Sequence, residues 1–267
     1  MEKINLIVSG AGGRMGSLII KLAQKDESFF VKGGIEAKKH PLVGKKLDGI
    51  EIYDNLEKVL EEKDVLIDFS VPSATMDFIK TVKEKRSKIV IGTTGFSKNQ
   101  IEEIKKTANY IPIFLSPNMS LGVNLFFEII KYATHLLKNY EIEIAEVHHH
   151  FKKDAPSGTA KKIAEIICNE RKLNQGKILK YGRNGITGER KFEEIGVHCL
   201  RIGDIVGEHY VYFGGTGEII EISHRCYDRS VFALGALNTA KYIYKKKNGL
   251  YSMEDYIKEE VLNVSSK

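Results

Sequence analysis

The sequence predicts an α/β protein in two parts: a parallel sheet with helices on both faces, and a smaller α+β part with a mixed sheet. Up to residue 119, short apolar runs alternate with helical patterns, which is typical of successive strand–helix–strand units. From residue 120 a long helical pattern comes first, and three strand-like segments later follow one another directly. Two further helical stretches end the chain, over residues 230–246 and 253–262.

The first part contains five short apolar runs that predict strands buried in a parallel sheet. They cover residues 4–9, 29–36, 65–70, 88–93 and 113–116. A helical pattern over 15–25 follows the first run, and Ser97 with Gln100 forms a capping-box pattern that predicts a helix over 98–109. We therefore expect a first domain over residues 1–119.

The second part begins with apolar residues at helical spacing from Leu121 to Leu137, which predict one long helix with a broad apolar face. Alternation over 141–144 predicts a half-buried strand, and a helix is expected over about 159–170. The three consecutive strands are predicted at 195–202, 208–213 and 218–225. We expect a second domain over 120–229. The stretch 230–246 is apolar nearly all round, so it should be buried against the first domain, which residues 230–267 complete.

Composition excludes several classes of protein. The chain has 267 residues, of which 42% are hydrophobic and 28% charged, so it can form a folded core. The net charge is +6, but the lysines are dispersed, so we expect no nucleic-acid partner and a small anionic ligand instead. No apolar run reaches the ~20 residues of a membrane span, and no signal peptide is recognisable. Three distant cysteines favour a reducing cytoplasm over a disulfide framework.

A glycine-rich segment follows the first strand and opens the first helix: Gly10-Ala11-Gly12-Gly13-Arg14-Met15-Gly16. Glycines there permit a tight turn and let the backbone approach a pyrophosphate at the helix N-terminus. The strict Gly-x-Gly-x-x-Gly pattern fails because position 15 is methionine, but glycines recur at positions 10, 13 and 16. A plain structural turn is the alternative. The strand–turn–helix context favours a Rossmann-like dinucleotide-binding domain.

Glu36 supports this interpretation and bears on the choice of cofactor. It ends the second predicted strand, at the distance where an acidic residue binds a ribose hydroxyl. A carboxylate repels a 2′-phosphate, and Ala37 follows it where no arginine is adjacent. Lys38 and Lys39 could attract a phosphate or simply lie in a solvated loop. We therefore expect NADH as the favoured cofactor, with NADPH as the alternative.

Two further segments end predicted strands at the same edge of the sheet: Gly92-Thr93-Thr94-Gly95-Phe96 and Ser116-Pro117-Asn118-Met119. Ligands of open α/β sheets bind at that edge. The same residue types also form ordinary turns, so each segment has a plain structural alternative. Their shared position favours a wall beside the nicotinamide.

A third segment concentrates titratable groups: His148-His149-His150-Phe151-Lys152-Lys153-Asp154-Ala155-Pro156-Ser157-Gly158-Thr159. His148 and His150 could share one face of a strand, but nothing supplies a third metal ligand, so we expect no metal. Acid–base chemistry by a histidine and Lys152 is favoured instead. Residues 157–159 begin a predicted helix, whose N–H groups and hydroxyls could bind a carboxylate. An N-cap serine beside surface histidines is the structural alternative.

The pattern HHxxKxDxPSGT in this segment resembles the signature of the dihydrodipicolinate reductase family, also called 4-hydroxy-tetrahydrodipicolinate reductases, of bacterial lysine and diaminopimelate synthesis. The resemblance covers essentially the whole chain. It extends to the glycine-rich start and to residues 92–96, 116–122, 201–209 and 223–225.

The resemblance implies a role for each matching residue. His148 matches the proton donor/acceptor and Lys152 a second proton donor. Substrate ligands would be His149, Gly158 and Thr159, with Ser157 at the same helix start. Cofactor ligands would be Gly10, Ala11, Gly12, Gly13, Arg14, Met15, Glu36, Gly92, Thr93, Thr94, Ser116, Pro117, Asn118 and Met119. The family's best-known NADPH users carry arginine where this chain has Ala37. The family is tetrameric through its middle domain.

We therefore expect an NADH- or NADPH-dependent reductase that converts dehydrated 4-hydroxy-tetrahydrodipicolinate, a small dicarboxylate, to tetrahydrodipicolinate. The hydride would come from nicotinamide C4 and the proton from His148 or Lys152. The expected enzyme is a cytoplasmic homotetramer. Two alternatives remain: another Rossmann-type oxidoreductase such as an amino-acid dehydrogenase, or a non-catalytic nucleotide- or metal-binding module.

Overall fold

The computed structural model describes residues 3–262, and the chain forms two compact units. Unit 1 comprises the chain up to Leu121 and from Ser230 onward. Unit 2 comprises Gly122–Arg229. Residues 263–267 of the predicted C-terminal segment lie outside the described residues. Within residues 3–262, no helix has the length and apolar character that a membrane crossing requires.

Unit 1 is built around an eight-stranded sheet. Its strands are β1 Ile4–Ser9, β2 Phe29–Ile35, β3 Lys46–Leu47, β4 Ile50–Tyr53, β5 Val65–Asp68, β6 Lys88–Ile91, β7 Pro112–Leu115 and β13 Gly249–Tyr251. Their spatial order is β13-β7-β6-β5-β1-β2-β4-β3, and every described pairing is parallel except β3 with β4. All five predicted strands are confirmed. The strands β3, β4 and β13 were not predicted, because runs of two to four residues carry too little periodicity to detect.

Helices cover both faces of this sheet. They are α1 Arg14–Ala23, α2 Pro72–Glu84, α3 Lys98–Thr107, α7 Ser230–Tyr244 and the short α8 Met253–Tyr256. The predicted capping box at the start of α3 is confirmed, with both reciprocal hydrogen bonds formed. The predicted helix over 253–262 is only partly α-helical, because α8 passes into a π-helical turn at Ile257–Val261.

The helix α7 packs into the core of unit 1, as its apolar character predicts. It contacts α1 and the strands β5, β6 and β7, and eight of its residues are buried. Gly235 permits this approach, because a Cβ there would lie 1.7 Å from the Met119 carbonyl oxygen. The segment that follows β7 is therefore packed against α7.

Unit 2 contains a five-stranded mixed sheet with helices on one face. Its elements are α4 Leu121–Leu136, β8 Glu141–His148, α5 Gly158–Glu170, α6 Gln175–Ile178, β9 Leu179–Tyr181, β10 Ile195–Arg201, β11 Gly207–Gly215 and β12 Glu218–Cys226. The strand order is β12-β11-β8-β10-β9, with β8 parallel to β10 and antiparallel to β11. The predicted mixed sheet is confirmed. The short α6 and β9 were not predicted.

The central strand β8 positions the chemistry of unit 2. Its side chains alternate between buried and partly exposed, and the buried face carries Ile142, Ile144, Glu146 and His148. The two isoleucines pack with Phe126 of α4 and other core residues. Thus a carboxylate and an imidazole continue the apolar face at the carboxyl end of the strand, where polar groups need partners to be buried.

Candidate active site

The predicted cofactor turn is a close-packed, glycine-rich bend between β1 and α1. Gly10 adopts φ +65°, and a Cβ there would lie 2.5 Å from the Phe69 carbonyl oxygen. At Gly16 a Cβ would lie 2.1 Å from the Gly10 carbonyl oxygen. Gly13 is the N-cap of α1 and is exposed together with Gly12 and Arg14, whereas Ala11 is buried. The turn therefore presents backbone at a helix N-terminus, which suits a pyrophosphate.

Glu36 lies directly after β2 and faces this turn. Its Oε1 accepts a hydrogen bond from the Gly12 amide at 2.8 Å. A cleft of about 600 Å³ beside it is lined by Gly10, Glu36, Ala37 and Lys38, and by Ser70 beyond β5. A half-buried carboxylate at the mouth of such a cleft fits the ribose of a bound nucleotide.

The two other predicted cofactor segments leave the same edge of the sheet. Thr93, after β6, is buried and accepts a hydrogen bond from the Ser70 amide at 3.0 Å, while Thr94 is exposed. Ser116, after β7, donates to the Asn118 carbonyl at 2.7 Å. Pro117 is exposed, but the Met119 side chain is buried in the core. Met119 can therefore offer only backbone to a ligand.

The buried centre of unit 2 is Glu146, which sequence reasoning did not single out as a site residue. Its side chain is fully buried. It accepts hydrogen bonds from His148 Nδ1, from both terminal nitrogens of Arg201 at 3.0 and 2.9 Å, and from the Ser157 amide at 3.0 Å. This carboxylate thus joins β8, β10 and the start of α5.

Electrostatics keep Glu146 charged. Burial alone would raise the pKa of its carboxyl group, but the hydrogen bonds from His148, Arg201 and Ser157 outweigh burial and hold the pKa well below its ordinary value. With Nδ1 engaged by Glu146, the Nε2 atom of His148 is the ring position left for proton exchange. A Cβ at Gly207 would lie 3.0 Å from this nitrogen, so the glycine leaves space there.

A second histidine supports the start of α5. His209 of β11 is buried, with Nε2 3.2 Å from Ser157 Oγ and its ring 5.3 Å from that of His148. Ser157 also caps α5, since its Oγ accepts from the Ala160 amide at 3.1 Å. Burial, and then repulsion from His148, lower the pKa of His209 to about 3. His209 is therefore neutral at pH 7 and acts as a hydrogen-bonding support.

Cationic groups surround the exposed side of this cluster. Lys152 pairs with Asp154 at 2.9 Å, and Arg201 also donates to the Asp154 carbonyl at 2.8 Å. Gly158 and Thr159 form the first turn of α5, whose amides have no partner within the helix. Both cationic side chains thus contact Asp154, three residues before the N-cap of α5, and a positive region at a helix N-terminus suits a carboxylate ligand.

His148 and His150 do not share one face of a strand, which the sequence had left possible. β8 ends at His148, because His149 and His150 turn away, with their amides bonded to Ile205 and Gly203 carbonyls. His150 is exposed, and its Nδ1 bonds the Gly203 carbonyl at 2.8 Å. Within residues 3–262, no group of three or more His, Cys, Asp or Glu side chains is arranged to hold a metal ion.

A mainly parallel sheet with a glycine-rich turn and an acidic residue facing that turn, followed in sequence by a unit with a buried Glu146–His148 pair, is typical of nucleotide-dependent oxidoreductases. Family models agree. "Dihydrodipicolinate reductase, N-terminus" matches residues 4–119, and "Dihydrodipicolinate reductase, C-terminus" matches residues 122–257. The chain belongs to the dihydrodipicolinate reductase family.

Curated relatives span nearly the full chain. The 4-hydroxy-tetrahydrodipicolinate reductase of Aquifex aeolicus is 46% identical over 268 residues, covering 95% of this chain and 98% of the relative. That of Syntrophus aciditrophicus is 41% identical over 263 residues, with the same coverage. A dipicolinate-bound dihydrodipicolinate reductase from Paenisporosarcina sp. TG-14 has the same fold, with a TM-score of 0.77, 22% identity and coverage of 96% and 100% of the two chains.

Proposed function

We propose that this protein reduces the dehydrated form of 4-hydroxy-tetrahydrodipicolinate to tetrahydrodipicolinate with NADH or NADPH, in lysine and diaminopimelate synthesis. The observation that carries the proposal is the buried Glu146–His148 pair beside Lys152 and the start of α5. The names of the curated relatives support the same reaction.

His148 is the proposed proton donor to the reduced ring. Glu146 accepts a hydrogen bond from Nδ1 and so fixes the orientation of the ring, which leaves Nε2 as the atom that exchanges a proton with the substrate. Lys152 is the proposed second donor and charge partner. When bound, the nicotinamide supplies the hydride, so hydride and proton together complete a two-electron reduction.

The start of α5 is the proposed site for a substrate carboxylate. The amides of Gly158 and Thr159, the Thr159 hydroxyl and the Ser157 N-cap lie at the positive end of the helix, with His149 nearby in sequence. The fixed Ser157, held by Glu146 and His209, orients this helix start. Such orientation is what places a bound ring for reaction.

The proposed cofactor ligands are the residues of the glycine turn, Glu36 and the two loops after β6 and β7. Because Glu36 faces the turn and the next residue is Ala37 instead of an arginine, we propose that NADH is used in preference to NADPH. A cytoplasmic location and a homotetramer complete the proposal. The location is supported by three free cysteines, and the tetramer by family resemblance.

The test is a coupled assay that generates the unstable substrate in place and follows NADH and NADPH oxidation in parallel. His148→Gln should lower kcat by about 10²–10⁴-fold, which is typical of a lost proton donor. Thr159→Val should mainly raise KM, because a carboxylate ligand acts in ground and transition states alike. The exposed His135 offers a matched control, since His135→Gln should leave both parameters near wild type.

Two results would contradict the proposal. Full activity of both His148→Gln and Lys152→Ala would remove the acid–base role from the cluster. Oxidation of an amino acid with NAD⁺, together with no turnover of the cyclic substrate, would favour an amino-acid dehydrogenase instead.

A further inference from the structure

A second buried carboxylate lies at the carboxyl edge of the sheet in unit 1. Asp68 ends β5, and its exposed fraction is 0%. Within residues 3–262, no lysine, arginine or histidine side chain forms an ion pair or hydrogen bond with it. Burying a carboxyl group costs free energy unless hydrogen bonds satisfy it, so the hydrogen-bond donors around Asp68 must offset the cost of its burial.

Hydroxyl and amide donors from four segments surround Asp68. Oδ1 accepts from the Ser9 hydroxyl, from the Ser70 hydroxyl at 2.6 Å and from the Ser70 amide at 3.1 Å. Oδ2 accepts from the Thr75 hydroxyl and from the Thr93 hydroxyl at 3.1 Å. The carboxyl group therefore accepts five hydrogen bonds, and these satisfy both of its oxygens.

These donors flank the proposed cofactor segments. Ser9 directly precedes Gly10 of the glycine turn, and Thr93 belongs to the loop after β6. The neighbouring Phe69 reinforces the link: a Cβ at Gly10 would lie 2.5 Å from its carbonyl oxygen, and one at Gly92 would lie 2.4 Å from its ring. Asp68 and Phe69 thus contact the glycine turn and the threonine loop together.

We infer that Asp68 is a positioning residue for the cofactor, whose carboxylate holds the glycine turn and the threonine loop in their binding conformations. This rests on the proposed assignment of both segments to the cofactor. Preorganised loops bind without first being ordered, so loosening them weakens affinity even where no ligand contact is lost. Asp68 acts through Ser9 and Thr93 and is not itself proposed to touch the cofactor.

The chain offers a matched control at the other end of β5. Asp64 directly precedes this strand, is also buried, and bonds Lys32 at 2.8 Å and the Glu61 amide at 2.9 Å. It lies at the amino end of the strand, away from the ligand edge. Asp68→Asn and Asp64→Asn therefore each neutralise one buried carboxylate of the same sheet, at opposite ends of one strand.

The experiment measures NADH affinity of each variant by fluorescence titration without substrate, together with thermal unfolding and steady-state kinetics. We expect Asp68→Asn to raise the NADH Kd about tenfold or more, as for one lost charge-assisted hydrogen bond, while kcat at saturating NADH changes little. Asp64→Asn should lower Tm and leave the NADH Kd unchanged. Ser9→Ala removes one hydrogen bond to Asp68 and should also raise the NADH Kd. It tests the role of Asp68 if Asp68→Asn does not fold.

The inference is overturned if Asp68→Asn folds and binds NADH with the wild-type Kd. If Asp68→Asn does not fold, a wild-type NADH Kd for Ser9→Ala overturns the inference instead. It is also overturned if Asp64→Asn raises the NADH Kd as much as Asp68→Asn does. Gly13→Val separates this from the proposed function. If Gly13→Val weakens NADH binding but Asp68→Asn binds NADH normally, only the role of Asp68 is overturned. Normal NADH binding by Gly13→Val overturns the assignment of the glycine turn, and the role of Asp68 with it.

Discussion

Replacement of His209 should change how the stability of this protein depends on pH. His209 is buried at 4% exposure, and desolvation followed by repulsion from His148 lowers its pKa to about 3. In the unfolded chain its pKa returns to about 6.5. Between these values the unfolded state binds a proton that the folded state refuses, so stability is complete above about pH 6.5 and is lost as pH falls towards 3.

The size of the effect follows from these two values. Linkage over the interval from pH 7 to pH 5 gives a loss of about 2 kcal/mol from His209 alone. That is a large fraction of the ~5–15 kcal/mol that separates folded from unfolded proteins. His209→Gln retains a polar side chain that can reach Ser157 but has no proton to gain in this range, so this part of the pH dependence should disappear.

The assay is urea unfolding of wild type and His209→Gln at pH 7 and pH 5, at one protein concentration. The difference between the two pH values should be smaller by about 2 kcal/mol in the variant, even if the variant is less stable at pH 7. The exposed His135 serves as the control, since His135→Gln should retain the wild-type acid sensitivity. An identical loss of stability in wild type and His209→Gln would refute a neutral, desolvated His209.

Three further predictions concern the two sites. Glu146→Gln should lower the free energy of unfolding by about 3–5 kcal/mol, because it leaves Arg201 without its buried charged partner. The same variant should lower kcat and leave NADH affinity normal, and an unchanged kcat would contradict the role of Glu146 in orienting His148. Glu36→Ala should weaken NADH binding by about 1.5–3 kcal/mol and raise relative use of NADPH, and parallel assays with both cofactors would expose an unchanged ratio. Gly16→Ala should lower both Tm and NADH affinity, because its Cβ would lie 2.1 Å from a backbone oxygen; a stable variant with normal affinity would show that the turn tolerates the methyl group.

Local patterns predicted most of the fold, because each needs only a short window of sequence. Alternating strands and helices predicted the parallel sheet, and the capping box of Ser97 with Gln100 predicted the start of α3. Local patterns did not predict β13, because it has only three residues and pairs with β7, which is far from it in the sequence. Strand alternation would also allow His150 to share a face with His148, but β8 already ends at His148.

The candidate sites divide in the same way. The glycine turn, Glu36, His148 and Lys152 were recognisable because residue type and spacing carry their chemistry. Nothing in the sequence distinguished Glu146 from the other acidic residues of the same strand. Its partner Arg201 lies 55 residues away, and neither residue type nor spacing relates the two.

Short-range patterns were enough to predict the two-part α/β architecture and to nominate the glycine-rich turn and the histidine–lysine segment as candidate sites, since periodicity, glycine spacing and motif are properties of neighbouring residues. The packing of strands that are distant in sequence, in contrast, sets which polar groups share a buried site. Strand register aligns Arg201 with His148 across β10 and β8, and brings His209 opposite Glu146 across β11 and β8. Parallel pairing likewise brings the ends of β1, β5 and β6 together around Asp68. These contacts depend on which strands become neighbours, and burial then makes their hydrogen bonds obligatory.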